Sequence, residues 1–126
     1  MIMDELDGFT ERIVKGIALD ITANLIETTP VDLGWARANW VPVIGVRAET
    51  RAITNPEGAD IDRQRGKQQA GIAQVAARYK LGAGAIHIIN PVTYIVPLNE
   101  GSSKQAPAGF VQDAIRKAVT KDLKGL

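Results

Sequence analysis

The sequence predicts an α+β fold: a small antiparallel or mixed sheet with a long N-terminal helix, a middle helix and a C-terminal helix packed on it. The first observation is apolar residues that recur every three or four positions, as on one face of a helix, over residues 3–28, 67–79 and about 107–123. The second is that runs rich in Val, Ile and Trp lie between these helices. With 126 residues and no visible repeat, the chain is expected to form a single domain, 1–126.

The first predicted helix, 3–28, ends at a proline turn. Its apolar stripe is formed by Leu6, Phe9, Ile13, Ile17, Ile21 and Leu25. Pro30 disfavours helical backbone at the residue before it, so the helix stops there. The turn continues with Asp32, whose side chain can bond the backbone two residues on, and Gly34, which allows positive φ.

The next segment, 35–47, alternates and is predicted to be a strand or a bent pair of strands. Pro42 and Gly45 interrupt it, which favours an edge position or a bulge. Trp35 and Trp40 are five residues apart and would face opposite sides of a regular strand. We expect Trp40 to face the core and Trp35 to face a neighbouring molecule, because tryptophan is enriched at binding hot spots.

Residues 48–66 are polar and are predicted to form a long mobile loop, of the kind that often carries function. Three basic residues, Arg63, Arg65 and Lys67, lead into the second helix, 67–79. Positive charge is unfavourable at the start of a helix, so a partner would account for this cluster.

A second strand is predicted at 86–90, ending at the turn signal Asn90-Pro91. Residues 94–98 are apolar, but Pro97 limits them to a strand end or an irregular segment. Residues 99–106 are predicted to be a loop. The last helix is expected to start at Pro107 or Gly109 and to run to Leu123.

Composition excludes several classes of function. The chain contains no cysteine, which excludes disulfide frameworks, thiol catalysis and cysteine metal sites. A formal net charge of +1 lacks the basic excess of most proteins that grip nucleic acid. No apolar run approaches a membrane span, and the acidic N-terminus is unlike a secretory signal, so a cytoplasmic location without membrane partners is expected.

The residues offer little catalytic chemistry. His87 is the only histidine and lies among apolar neighbours, and Asp32 and Glu100 have no spacing that requires them to act as an acid–base pair. We therefore expect no enzyme activity, no metal and no cofactor. Two alternatives stay open: a small hydrolase using His87 with Asp32 or Glu100, and a nucleic-acid-binding module using the basic stretch 63–80, with Arg78 and Lys80 at its end.

Two separated segments carry a family resemblance. Residues 29–40, TPVDLGWARANW, resemble the "T-P-V-D-T-G … N-W" signature of phage minor tail protein Z and its tail-completion relatives. Further on, Ile88-Ile89-Asn90, then Tyr94, then residues 98–111, LNEGSSKQAPAGFV, resemble the second signature of that family. This is a strand ending in Asn, a Tyr, and "G-S-x-Q-A-P-x-G" before a final helix.

The resemblance implies a structural protein of the virion neck in long-tailed phages, assembled in the host cytoplasm. Its partners would be copies of itself in a ring, sixfold as the resemblance implies, with the tail tube or tail terminator on one side and head-closure or connector proteins on the other. DNA would pass through the lumen without specific binding. Partner contacts are assigned to Trp35, Arg37, Arg63, Arg65, Lys67, Asn99, Glu100, Ser102, Ser103, Lys104 and Gln105. Structural roles are assigned to Pro30, Asp32, Gly34, Trp40, Asn90, Tyr94, Gly101, Pro107 and Gly109.

Overall fold

The structure, a computed structural model, describes residues 2–30, 34–45, 60–101 and 107–124. Within these ranges the chain forms five helices and two strands, in the order α1 Ile2–Thr28, α2 Gly34–Ala38, β1 Val41–Ile44, α3 Ile61–Arg78, β2 Ile86–Ile89, α4 Ile95–Asn99 and α5 Phe110–Lys124. The predicted α+β class is confirmed. So are the three main helices, although their boundaries shift.

The sheet of the described residues is one antiparallel pair, β1 and β2. Val41 lies opposite Ile89 and Ile44 opposite Ile86. The Gly45 amide donates to the Ala85 carbonyl at 2.9 Å. Because hydrogen-bonded and non-hydrogen-bonded pairs alternate along such a ladder, Pro42 falls at a non-hydrogen-bonded position. Its missing N–H therefore costs the pair nothing, and the edge position predicted for Pro42 is confirmed.

Helix α1 is the central element of the fold. Helix α5 runs antiparallel to it, since the Asn24 side chain donates to the Ala114 carbonyl at 3.2 Å while Lys121 pairs with Asp20 at 3.6 Å. The sheet and α3 pack on other parts of α1. The core sits between these layers and consists of Leu25, Trp40, Leu98, Phe110 and Ala114.

Helix α3 packs unusually close to β1 at Gly71. A Cβ atom added to Gly71 would lie 2.8 Å from Val41 Cγ1 and 3.1 Å from the Pro42 carbonyl oxygen. Such distances are too short for carbon atoms, so glycine is required where the helix crosses the strand. This contact holds α3 against the sheet and thereby places its N-terminal half beside α2.

The strand predicted over 35–47 is wrong in its first half. Residues Gly34–Ala38 form a helical turn, which Asn39 closes by donating its side-chain N–H to the Trp35 carbonyl at 2.7 Å and its amide to the Ala36 carbonyl at 3.2 Å. Trp35 and Trp40 therefore do not alternate along one strand. Trp40 is nevertheless buried, as predicted, with 6% of its surface exposed.

The predicted loop 48–66 is wrong from residue 61 onward, and the predicted helix start at residue 67 is too late. Helix α3 begins at Ile61 because the Asp60 carboxylate caps it, accepting from the Arg63 amide at 2.9 Å. Arg63, Arg65 and Lys67 thus lie within α3 rather than before it, and acidic Asp60 and Asp62 occupy its start. Residues 46–59 lie outside the described residues.

Two later boundaries also differ from the prediction. Residues Ile95–Asn99 form the short helix α4, where a strand end or irregular segment was predicted. Pro97 fits because it lies in the first turn, where helix N–H groups have no partner within the helix. Helix α5 starts at Phe110, after a turn in which the Phe110 amide donates to the Pro107 carbonyl at 3.2 Å.

An acid pair lies in the seam between α1 and α5. The pKa of Asp122 is raised above its ordinary value of 3.8, chiefly by burial and further by the hydrogen bond and negative charge of Asp20, while Lys121 opposes the rise. Asp122 Oδ2 is buried and has no hydrogen-bond partner among the described residues. The folded chain therefore holds this proton more tightly than the unfolded chain does.

Replacing Asp122 by asparagine should stabilise the protein near neutral pH. The stability contributed by the protonated Asp122 side chain is fully present below pH 3.8. It is lost as the pH rises through the raised pKa of the folded state. Asparagine is uncharged at every pH, so the variant should keep this stability at neutral pH. The gain in the free energy of unfolding should be at most about 1 kcal/mol, because the Asp20–Asp122 pair is partly exposed to solvent. Denaturant unfolding at several pH values measures it, and the gain should vanish at acidic pH.

The matched control for that change is Asp113→Asn on the same helix. Hydrogen bonds from Lys117 and Arg116 lower the pKa of Asp113, so its neutral substitute should lose stability at neutral pH. A gain at Asp122 that persisted unchanged to acidic pH would show that the effect is not ionisation.

Candidate interaction surface

Helix α2 is the point at which distant parts of the chain meet. Side chains that are distant in the sequence donate hydrogen bonds to backbone carbonyls in and next to α2. These carbonyls belong to Ala36, Arg37 and Trp40. Gln68 of α3 donates to the Arg37 and Trp40 carbonyls, both at 2.9 Å. Asn90, after β2, donates to the Ala36 carbonyl at 2.9 Å. A five-residue helix is thereby held from two sides.

Trp40 links α2 to the end of α1. Its indole N–H donates to the Thr29 hydroxyl at 2.9 Å, and that hydroxyl donates to the Leu25 carbonyl at 2.6 Å. Thr29 is 1% exposed, and Pro30 beside it is also buried. This buried relay gives the indole N–H and the Thr29 hydroxyl their hydrogen-bond partners, and so fixes Trp40 against the end of α1.

Asn90 and Tyr94 brace the same region from the other signature segment. The Asn90 side-chain oxygen accepts from the Val92 amide at 3.1 Å, while its nitrogen reaches Ala36. Burial raises the pKa of Tyr94, and a hydrogen bond with the Ala36 backbone opposes the rise. Both residues therefore bind the first signature segment to the second.

Asn99 ties α4 to the start of α5. Its side-chain oxygen accepts from the Val111 amide at 2.9 Å, its side-chain nitrogen donates to Gln112 Oε1 at 2.9 Å, and its carbonyl accepts from the Gly109 amide at 2.6 Å. Gly109 and Gly101 both have positive φ, 77° and 99°. The structure thus occupies the Asn99 side chain internally, although it was assigned to partner contacts.

Arg37 and Arg65 come together at a surface cleft. This cleft, of about 380 Å³, lies between the end of α1, α2 and α3 and is lined by Ile26, Arg37, Ala38, Arg65, Gln68 and Gln69. Arg65 makes a distant ion pair with Asp62, at 4.0 Å, and its side chain is 57% exposed. Two arginines beside Gln69 and a small apolar wall form a site suited to carboxylates or phosphates, while the Gln68 side-chain nitrogen already donates to the Arg37 and Trp40 carbonyls. We call it the arginine cleft.

The other residues assigned to partner contacts are scattered. Trp35 is half-buried on α2 and has an interaction of its own, Arg63 is exposed on α3, and Glu100 is exposed after α4. Lys67 lines a second depression between α3 and β1. Ser102, Ser103, Lys104 and Gln105 lie outside the described residues, as does Asp32. Of the structural assignments, Gly34 starts α2, where an added Cβ would lie 3.4 Å from Ile61 Cδ1, and Pro107 is exposed in the turn before α5.

Of the residues considered for catalysis, His87 and Glu100 lie among the described residues and Asp32 does not. His87 is half-buried opposite Val43, and its side chain bonds to no other described residue. No group of three or more His, Asp or Glu side chains that could hold a metal ion occurs in ranges 2–30, 34–45, 60–101 and 107–124. No helix within them is long and apolar enough to cross a bilayer.

The sequence analysis missed two features of this surface. Gln68 is 3% exposed and joins α3 to α2, yet nothing in a polar helix distinguishes it from its glutamine neighbours. The N-terminal end of α1 was interpreted as part of a core-facing stripe, but Leu6 and Phe9 are 53% and 44% exposed. The three acidic residues among 5–11 were a visible signal for a surface role there.

Scans against protein-family models, curated proteins and solved structures find no match to this chain. The resemblance to tail-completion proteins therefore rests on the two signature segments. Six residues of these segments make the contacts around α2 and α4 described above. They are Thr29, Trp40, Asn90, Tyr94, Asn99 and Gly109.

Proposed function

We propose that this chain is a structural subunit of a phage neck: a tail-completion protein that forms a ring with copies of itself and joins tail to head. The observation that carries the proposal is the convergence of the two signature segments on one network. Thr29 and Trp40 belong to the first segment, Asn90 and Tyr94 to the second, and all four fix α2 or its flanks. Residues that resemble a family signature thus serve one shared structural purpose.

The proposed role is mechanical and involves no covalent chemistry. A ring subunit needs two different surfaces, each offered to a neighbouring copy, and a rotation that closes. The remaining surfaces would meet the tail tube or terminator and the head-closure proteins, with DNA passing through the lumen. A neck built this way acts in the virion after assembly in the host cytoplasm.

A second candidate is a nucleic-acid-binding module. It is favoured by the exposure of Arg63, Arg65, Lys67 and Arg78 along α3. Binding through phosphates should weaken steeply as salt rises. A mobility shift that salt abolishes, and that Arg65→Gln with Lys67→Gln removes, would support this candidate over the neck subunit.

Inactivating the gene in its parent phage or prophage tests the neck proposal. We expect filled heads and separate tails to accumulate, with plaque formation lost, and the wild-type chain supplied in trans should restore joined particles. Asp122→Asn supplied in trans is the control, because it should fold and complement. Normal joined particles in the absence of the chain, or a coding context without head and tail genes, would contradict the proposal.

A further inference from the structure

The N-terminal turns of α1 extend past the described end of α5. Asp122 of α5 lies beside Gly16 of α1, since its Oδ1 is 3.3 Å from a Cβ atom added at Gly16. Helix α5 is described for only two residues beyond Asp122, to Lys124. The first buried residue of α1 after Glu5 is Ala18. With 27 residues, α1 is about 40 Å long, so roughly a third of it lies beyond the described part of α5.

This projecting end carries apolar residues flanked by acid. Leu6, Phe9 and Ile13 are spaced i, i+3 and i+7, the pattern of an amphipathic helix that docks in a groove. Residues 5–13 contain three acidic side chains, Glu5, Asp7 and Glu11, and one basic one, Arg12, so the segment keeps a net negative charge. We call residues 5–13 the acidic helix end.

The arginine cleft has the opposite character. It offers Arg37 and Arg65 beside Ile26 and Ala38, so it can accept both a carboxylate and an apolar side chain. Along α1, Phe9 and Ile26 are separated by about 25 Å at 1.5 Å per residue. The acidic helix end therefore lies far from the arginine cleft of its own chain, toward the other end of the same helix.

We infer that the acidic helix end of one copy docks in the arginine cleft of the next copy. Charge favours a head-to-tail contact over a contact between two identical helix ends. Two acidic helix ends facing each other would place like charges together, which costs free energy, whereas the head-to-tail contact pairs acid with arginine. A contact between two different surfaces repeats from copy to copy and produces a ring when its rotation closes.

This contact deepens the proposed function and rests on it for the role of the ring. It also favours a protein over nucleic acid at the cleft. Arg78, at the C-terminal end of α3, lies about 20 Å from Arg65 along the helix, too far to line the same cleft, and neither Arg63 nor Lys67 is among the residues that line it. An apolar wall at Ile26 and Ala38 likewise suits a side chain better than a phosphate.

Cysteine cross-linking tests the contact on the full chain, which has no cysteine of its own. One preparation carries Asp7→Cys and the other Gln69→Cys, at the cleft. Mixed and oxidised over a concentration series, they should give a disulfide-linked heterodimer. Asp7→Cys mixed with Thr120→Cys, exposed on α5, is the matched control and should give background only.

Charge reversal supplies the second arm. Arg65→Glu in the Gln69→Cys chain should lower the cross-linking yield about tenfold, and Glu5→Arg with Glu11→Arg in the other chain should restore it. A missing cross-link between residues 7 and 69, including a chain that stays monomeric throughout, overturns the inference. So does an unchanged yield with Arg65→Glu while salt-sensitive DNA binding is lost, since the arginines would then serve nucleic acid.

The two proposals can fail separately. If gene loss separates heads from tails but residues 7 and 69 do not cross-link, the neck function stands and this contact is wrong. If the cross-link forms with the expected charge dependence but joining is unaffected by gene loss, the chain assembles through this contact in some structure other than a neck.

Discussion

Replacing Trp40 by alanine is expected to lower the free energy of unfolding by about 3–5 kcal/mol, the largest loss of any single substitution considered. The indole is 6% exposed and packs in the cluster with Leu25, Leu98, Phe110 and Ala114. Its removal leaves a cavity between α1, α4 and α5. It also deprives the Thr29 hydroxyl of its donor, at 2.9 Å in the folded protein.

Urea unfolding followed by circular dichroism measures this loss, since tryptophan fluorescence itself would change. Trp40→Phe separates the two contributions: it keeps most of the buried ring and should recover much of the loss, while the missing hydrogen bond still costs about 1 kcal/mol. Trp35→Ala is the matched control, because Trp35 is only half-buried. Equal losses at positions 35 and 40 would contradict the core assigned to Trp40.

Replacing Gln68 by leucine should cost about 2–4 kcal/mol, because it leaves one buried and one part-buried backbone carbonyl without this donor. The Gln68 side-chain nitrogen reaches both the Arg37 and the Trp40 carbonyls at 2.9 Å, and the residue is 3% exposed. Leucine has similar size, so the loss would reflect the hydrogen bonds more than the packing. The residues around α2 should also exchange their amide protons faster with solvent.

Gln69→Leu is the control for that substitution. Gln69 is the next residue on α3, is exposed, and makes neither of these hydrogen bonds, so its change should stay within about 0.5 kcal/mol. Comparable losses at 68 and 69 would show that α3 tolerates leucine poorly for another reason, and that Gln68 does not hold α2 in place.

Much of the fold could be predicted from periodicity alone. The apolar stripes of α1, α3 and α5 identify three helices, and alternation with β-branched residues identifies β2. Helix α2 could not be predicted in this way, because five residues are too few to show a period. Its helical turn depends on Asn39 and on donors from Gln68 and Asn90, which are distant in the sequence. Tertiary contacts there override the strand propensity of Trp35.

The candidate surface was predicted only in part. Arg37 and Arg65 were each assigned to partner contacts, but they are 28 positions apart and only the packing of α3 on α2 brings them to one cleft. Asn99 was assigned to the same class because it lies in a polar loop segment, whereas its side chain links α4 and α5. A polar residue in a turn has the same appearance in sequence whether it binds a partner or its own backbone.

The position of this chain in a virion tests the central claim most directly. A cryo-electron microscopy reconstruction of the neck of the parent phage should show a ring of this chain at the head-proximal end of the tail, with α2 and its flanking signature residues ordered as described. Particles that are complete and infectious, yet contain no density and no peptide from this chain, would contradict the account.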